Sequence, residues 1–181
     1  MKILAISGSA RTLSTNTALL RGLQAVAPHG IEIEVFDGIG ELPIFSVDRE
    51  GSELPQGIGA FMEMISSSAG LIISSPEYVR SIPGGLKNAI DWLVSGDQIV
   101  GKPIVLVHAS HRGDDMLTAL RTVLSTVSSN FTEALFFRLP VINEKPEAIR
   151  SILETSSRQE AEEFLRALRT YCECTMPQTA Q

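Results

Sequence analysis

The residues best suited to binding chemistry are concentrated at positions 8–17, where the chain reads Gly-Ser-Ala-Arg-Thr-Leu-Ser-Thr-Asn-Thr. This segment combines one cation with five hydroxyl groups and an asparagine, between a short apolar run and the first helix-like pattern. Backbone N–H groups and the dipole at a helix N-terminus attract an anion, and hydroxyl groups donate to phosphate without themselves carrying a charge. The pattern therefore favours a phosphate site. An alternative stays open, in which Ser14 or Asn16 only caps the helix within a solvated loop.

A second unusual segment covers positions 75–92 and contains two prolines and two glycines before a helix-like pattern. The prolines stiffen the chain, and the glycines let the backbone approach a ligand closely. Such a wall of main-chain N–H and C=O groups suits the edge of a planar ring, and Tyr78 can add an aromatic contact. Trp92 lies among apolar helical neighbours, so core packing or a subunit contact is its favoured interpretation.

Strands and helices must position these segments, and the apolar patterns predict both in regular alternation. The predicted strands cover 2–7, 31–35, 70–75, 104–109 and 135–137. The predicted helices cover 16–27, 56–67, 86–93, 116–127 and 157–171. Alternation of this kind predicts an α/β fold, a three-layer doubly wound sheet of five parallel strands in the order 2-1-3-4-5. Ligands of such sheets bind beyond the carboxyl ends of the strands, which selects the loops after strands 1, 3 and 4.

Length and composition limit the possible classes of protein. The 181 residues contain no repeat or low-complexity linker, so we expect one domain over 1–181, and the pattern leaves open whether the tail from about 172 is ordered. A net charge of −6 argues against nucleic-acid binding. No apolar run is long enough for a membrane span and no signal peptide is recognisable, so a cytoplasmic location is expected. The cysteines (Cys172 and Cys174) and the three histidines lack metal-ligand spacing, so no metal site is predicted.

Two motifs resemble those of one known family. The patterns G-S-x-R-x-x-S-x-N after strand 1 and S-P-E-Y-x-x-S-x-P-G-x-L-K-N-A-x-D-W after strand 3 are similar to the NADPH-dependent FMN reductases, which have a flavodoxin-like fold. The resemblance implies bound FMN, with NADPH or NADH as co-substrate. For the FMN phosphate and the residues beside it, the resemblance indicates Ser9, Arg11, Ser14, Thr15, Asn16 and Thr17. For the isoalloxazine ring it indicates Pro76, Glu77, Tyr78, Val79 and Ser81.

The loop after strand 4 matches the family less well, because it is charged where the family usually has a small, glycine-rich loop. Ser110 and Gly113 keep that small character, and Arg112 or His111 is a candidate to face the ring or a nicotinamide phosphate. The alternative is that Asp114 or Asp115 caps the next helix and pairs with Arg112 at the surface. His111 as a proton donor is the weaker hypothesis.

Two further features follow from the resemblance. The family often has asparagine where this chain has Val79, so a side-chain hydrogen bond is lost there and the main chain is left to bind the ring. Family members are commonly homodimers or homotetramers, and residues 42–45 with Asp48 resemble a loop that often contributes to the subunit contact. A homodimer or homotetramer is therefore expected.

The predicted function is that of an FMN-dependent NAD(P)H oxidoreductase. It would transfer hydride from NAD(P)H through bound FMN to a small acceptor, such as free flavin, a quinone, a metal oxyanion or an azo compound. No catalytic side chain is assigned, because the flavin carries the chemistry and the protein positions it. The alternatives are a non-catalytic flavin-binding electron carrier or redox-responsive module, and a fold relative that has lost FMN.

Overall fold

Five parallel strands form the central sheet of the structure, a computed structural model that describes residues 1–51, 54–94, 96–141 and 144–175. The strands are β1 (Lys2–Ser7), β2 (Glu32–Phe36), β3 (Gly70–Ser74), β4 (Ile104–His108) and β5 (Phe131–Arg138). The helices of the described residues are α1 (Thr15–Ala25), α2 (Ile58–Ser67), α3 (Gly84–Val94), α4 (Asp114–Val127), α5 (Pro146–Glu154) and α6 (Arg158–Thr175). Two short 3₁₀ turns, Ile39–Glu41 and Val47–Arg49, lie in the connection after β2.

The strand order is β2-β1-β3-β4-β5, and every pair is parallel. This confirms the predicted three-layer doubly wound sheet and its flavodoxin-like order. The register places Ser7 of β1 opposite Ser74 of β3, and Ser74 opposite Val107 of β4. The loops after these three strands therefore leave the sheet at one edge, side by side.

The two faces of the sheet bury separate apolar layers. Side chains alternate along each strand, so Ile3 and Ala5 of β1 pack on one side and Leu4 and Ile6 on the other. The first layer is covered by α1, α5 and α6, and the second by α2, α3 and α4. Burying one such Leu or Ile side chain contributes about 1.5–3 kcal/mol relative to leaving it exposed, so both helical layers are firmly held against the sheet.

Three elements differ from the sequence prediction. The prediction of five helices was wrong, because α5 was missed even though Pro146 starts it and Ile149 and Leu153 lie four residues apart on its buried face. The edge strand β5 is longer than predicted, since the polar Thr132 and Glu133 and the exposure of its first half hide the strand pattern. Helix α6 continues to Thr175 and buries Cys172, so residues 172–175 are helical, while the rest of the predicted tail lies outside the described residues.

Candidate functional site

The turn from β1 into α1 forms the first part of the candidate site. Ser14 is the N-cap residue, with extended backbone, and its Oγ accepts the N–H of Thr17 at 3.4 Å. Ser14 therefore caps the helix, as the alternative interpretation held, whereas Asn16 does not. Thr15 and Asn16 occupy the first two helical positions, where the helix itself offers no acceptor for the backbone N–H. These two groups remain available to an anion.

Buried hydrogen bonds hold this turn against the ends of β1 and β3. The hydroxyl groups of Ser7 and Thr17 lie 2.7 Å apart, and the Ser74 Oγ donates to Asn16 Oδ1 at 2.9 Å. Ser9 Oγ accepts the backbone N–H of Arg11 at 3.2 Å. The predicted phosphate side chains Ser9, Ser14, Asn16 and Thr17 are all buried and make contacts inside the protein. Their contribution in this structure is to fix the shape of the turn.

Arg11 lies on the outside of the same turn. Its side chain is exposed and makes no hydrogen bond or ion pair with any described residue. A guanidinium group keeps its charge at all ordinary pH values and can donate two parallel hydrogen bonds to a phosphate. Arg11 and the two free N–H groups at the start of α1 thus supply positive potential at the same end of the helix.

The second predicted segment forms a two-residue hairpin after β3. Tyr78 and Ser81 exchange both backbone hydrogen bonds, at 3.1 and 3.0 Å. Val79 and Arg80 between them have φ values of +51° and +57°, as a type I′ turn requires. Val79 is 99% exposed, and Tyr78 is also exposed. A β-branched residue is disfavoured at positive φ, so the hairpin displays an apolar side chain at a conformational cost.

Two contacts attach this hairpin segment to the start of α4. Glu77 Oε2 accepts the backbone N–H of Met116 at 3.0 Å, and the Arg80 guanidinium pairs with Asp115 at 2.5 Å. Met116 is the third residue of α4, so the Glu77 carboxylate takes up an N–H group that the helix leaves without an acceptor. Glu77 thus joins the segment after β3 to the helix that follows β4.

The third loop, residues 109–113, ends at a glycine directly before α4. Gly113 is the N-cap residue at φ +100° and, having no side chain, makes no capping hydrogen bond of its own. Asp114 pairs with Arg138 at 2.5 Å, which lowers the pKa of the Asp114 carboxyl group. Since Asp115 pairs with Arg80, the interpretation that an aspartate caps α4 and pairs with Arg112 was wrong. Arg112 is exposed, and His111 Nδ1 lies 3.4 Å from the Val141 carbonyl oxygen.

His108 is a residue that the sequence analysis missed. It ends β4, is 2% exposed, and its Nε2 lies 2.6 Å from the carbonyl oxygen of Arg112. Burial lowers the pKa of His108, and the positive charge of Arg138 acts in the same direction. A signal was available in the sequence: His108 ends an otherwise apolar buried strand at the carboxyl edge where ligands bind.

Two adjacent hollows lie where the three segments meet. One has a volume of about 300 Å³ and is lined by Thr15, Asn16, Pro76, Glu77, His108, Ala109, Ser110, Arg112 and Gly113. The other, of about 370 Å³, is lined by Thr15, Ala109, Ser110, His111, Arg112, Val141 and Glu144. Each is large enough to take part of a ligand. Predicted residues from all three loops thus meet around the first hollow. The other predicted residues line neither hollow: Ser9, Arg11, Ser14, Thr17, Tyr78, Val79 and Ser81.

A larger groove of about 610 Å³ lies between α1 and α5 and shares Thr12, Leu13, Ser14 and Thr17 with the first loop. Its two arginines already have partners: Arg21 pairs with Asp37 at 2.7 Å and Arg150 with Glu154 at 2.7 Å. The groove borders the phosphate turn but not the wall after β3. It therefore offers less to an anion attached to a planar ring than the smaller hollows do.

The described part of the chain contains no group of three or more His, Cys, Asp or Glu residues arranged to hold a metal ion. None of its helices combines the length and apolar character needed to cross a bilayer.

Comparison with known proteins gives a family and close relatives. The family model described as NADPH-dependent FMN reductase matches residues 1–140. A quinone reductase of Escherichia coli (strain K12) is 34% identical over 113 residues, which cover 61% of this chain and 60% of the relative. An NAD(P)H-dependent FMN reductase of Pseudomonas aeruginosa is 37% identical over 112 residues, again 61% and 60% of the two chains. The match therefore spans less than two thirds of the length of these relatives.

Solved structures of similar fold cover the whole chain. The flavoenzyme NAD(P)H:(acceptor) oxidoreductase FerB from Paracoccus denitrificans superposes with a TM-score of 0.75 at 24% identity, covering 96% of this chain and 98% of FerB. An azoreductase from Bacillus anthracis gives a TM-score of 0.56 at 14% identity, covering 97% and 98%. At these identities the likeness shows a common fold.

Proposed function

The chain belongs to the NADPH-dependent FMN reductase family, and on this basis we propose that it is an FMN-dependent NAD(P)H oxidoreductase that reduces a small acceptor. The main observation in support of this proposal is that the N-terminus of α1 and the proline-containing segment after β3 line the same hollow. An anion-binding helix start, Thr15 and Asn16, lies beside a stiff wall that contains Pro76. A phosphate joined to a planar ring requires that combination.

The residues present fit FMN in their chemistry. The two N–H groups at the start of α1 and the guanidinium group of Arg11 have no partner among the described residues, and both are suited to a phosphate. The hollow next to them is lined by main chain and small side chains such as Ala109, Ser110 and Gly113, which let a flat ring approach closely. We assign the predicted residues of the first loop to the phosphate end and those after β3 and β4 to the ring.

Bound FMN would accept hydride from NAD(P)H and pass it to the acceptor. The residues of this chain would bind and orient the cofactor. The turn before α1 would fix the phosphate, and the loops after β3 and β4 would hold the edge of the ring and leave one face open to both substrates. No side chain is needed as an acid or base for the hydride transfers, and we assign none.

A quinone is the acceptor class that the relatives favour. The Escherichia coli relative is named a quinone reductase, and a relative from a Burkholderia species, 42% identical over 92 residues, is named a 2-hydroxy-1,4-benzoquinone reductase. The exposed Tyr78 and Val79 beside the hollow would give an apolar border to such a ring. Free flavin, azo compounds and metal oxyanions are the further acceptors to be tested.

The proposal also includes two expectations from the sequence: that residues 1–181 form one domain, and that the protein is located in the cytoplasm.

A homo-oligomer, dimer or tetramer, is a second part of the proposal. Residues 43–47 project Ile44 and Val47, which are 80% and 70% exposed. The segment is nevertheless firmly held, because Trp92 Nε1 and Asn88 Nδ2 both donate to the Pro43 carbonyl oxygen, at 2.7 and 3.1 Å. A rigid loop with exposed apolar side chains is suited to a subunit contact.

The test is the visible spectrum of the purified protein before and after addition of FMN, followed by anaerobic mixing with NADPH or NADH. An enzyme is expected to retain a yellow flavin that bleaches within seconds of mixing and regains colour when a quinone is added. Flavin that binds but does not bleach with either nucleotide would indicate the electron carrier instead. A protein that stays colourless after FMN is added would overturn both.

A further inference from the structure

The imidazole of His108 lies beneath the loop of residues 109–113 and determines which hydrogen bonds that loop can make. Its Nε2 lies 2.6 Å from the Arg112 carbonyl oxygen. A carbonyl oxygen only accepts, so Nε2 carries the proton and donates. Burial lowers the pKa of the ring, although backbone groups of Arg112 and Ser75 act in the opposite direction. In a neutral ring with its proton on Nε2, Nδ1 carries no proton.

The loop is folded closely around this ring. Gly113 has φ +100°, and a Cβ atom at that position would lie 2.5 Å from the His108 Nε2. Only glycine therefore allows the main chain to pass so near the imidazole. The Arg112 N–H donates to Ser110 Oγ at 3.0 Å, which closes the loop from the other side. The path of residues 110–113 thus depends on one histidine and one glycine in contact.

The direction of one peptide group follows from this contact. The peptide between Arg112 and Gly113 is trans and planar, so its C=O and N–H point in opposite directions. Because the C=O is directed at the His108 ring, the Gly113 N–H points away from it. That N–H has no acceptor among the described residues, and Gly113 lines the same 300 Å³ hollow as His108.

We propose that His108 is a positioning residue for the cofactor: its Nε2–H fixes the peptide between Arg112 and Gly113 so that the Gly113 N–H donates to the ring of bound FMN. This inference rests on the proposed function. The buried Nδ1 has no hydrogen bond of normal geometry among the described residues, which fits a ring whose orientation is set by the contact of Nε2.

Two variants separate positioning from simple filling of space. Leucine at position 108 fills the volume but cannot donate, so H108L frees the peptide to rotate at Gly113. Glutamine can place an amide N–H close to the position of Nε2, so H108Q keeps the donor without a titratable ring. We expect H108L to bind FMN about tenfold more weakly than the wild type, and H108Q to stay within about threefold.

Riboflavin, which lacks the phosphate, is the second probe in the titration. Because the proposed donor contacts the ring, H108L should weaken riboflavin and FMN by the same factor. Unchanged affinity of a folded H108L for both flavins would overturn the inference. A wild-type protein that binds neither flavin would instead contradict the proposed function.

A third measurement uses the wild-type protein and needs no variant. The ¹⁵N chemical shifts of the wild-type His108 ring are expected to show a proton on Nε2 and none on Nδ1 at pH about 8, and the Gly113 amide signal should move on addition of FMN. A proton on Nδ1 instead would overturn the inference even if H108L failed to fold.

Discussion

The two halves of the candidate site are built in different ways. At the phosphate turn, residues 8–17, four polar side chains are buried, and two of them bond to the ends of β1 and β3 in the pairs Ser7–Thr17 and Ser74–Asn16. At the ring wall, residues 76–81 and 109–113, the hairpin is exposed and is attached to α4 by the Glu77 and Arg80 contacts. The first half is shaped by the core, and the second by contacts between loops.

This difference matches what each half would have to recognise. A phosphate is compact and charged, so its binding requires donors whose positions are fixed in advance. A flat ring that must leave one face free for two successive substrates needs an edge contact and an open border. We therefore expect changes in the phosphate turn to affect cofactor retention most, and changes in the wall to act through small shifts in stability and position.

The largest effect is expected from removing the Arg11 side chain. Because a charge-assisted hydrogen bond contributes about 1.5–3 kcal/mol, R11A should weaken FMN binding by about 10- to 100-fold. Riboflavin has no phosphate, so its affinity should not change. Fluorescence titration of the apoprotein measures both. The matched control is R21A, which removes another exposed arginine; Arg21 lies on α1 and pairs with Asp37. R21A should leave both affinities as in the wild type.

Equal losses of FMN and riboflavin affinity in R11A would contradict the assignment of separate roles to the two halves of the site. Arg11 would then act on the flavin ring or on the fold rather than on the phosphate. Unchanged FMN affinity would remove Arg11 from the phosphate site.

An intermediate effect is expected at the attachment of the wall to α4. E77A leaves the Met116 N–H without its acceptor, and loss of such a helix-capping contact costs about 1 kcal/mol. In a chain of this length that corresponds to a melting temperature lower by about 2–4 °C. E77Q keeps an oxygen acceptor and should melt close to the wild type. Equal melting temperatures for E77A and E77Q would indicate that the contact does not stabilise the wall.

The smallest effect, opposite in sign, is expected at the tip of the hairpin. Asparagine tolerates positive φ better than valine, so V79N should stabilise the protein by about 0.5–1 kcal/mol in urea unfolding. The control is V100N, since Val100 is also exposed but does not have positive φ. No gain in V79N relative to V100N would show that the turn is not strained by valine. A gain in stability accompanied by a higher KM for apolar quinones would indicate that the Val79 side chain contacts the acceptor.

The sequence was sufficient to predict where a site should lie. Alternating strand and helix patterns implied a parallel sheet, and in that sheet the segments after strands 1, 3 and 4 must leave by the same edge. The structure has that order, and the hollow collects Thr15, Pro76 and Ser110 from the three segments. Sequence patterns can predict the order of strands and helices because the spacing of apolar residues within each element involves only residues near one another in the chain.

The sequence could not predict how individual polar side chains would be used. Ser14, Asn16 and Thr17 are predicted to lie at a phosphate, and the structure adds that all three are buried and bonded inside the protein. Glu77 was predicted to line a ring, and its carboxylate also accepts an N–H group of α4. Local pattern shows that a polar group is present, but not whether the folded chain supplies it with a partner.

The sequence by itself therefore determined the α/β order, the two layers of helices and the edge at which ligands would bind. Tertiary structure alone decided which donors stay free and which are bonded internally. The reason is that the deciding contacts join residues far apart in the chain, such as Ser74 with Asn16 and Glu77 with Met116. The role of His108 was hidden for a related reason, since it depends on the path of the four residues that fold back over its ring.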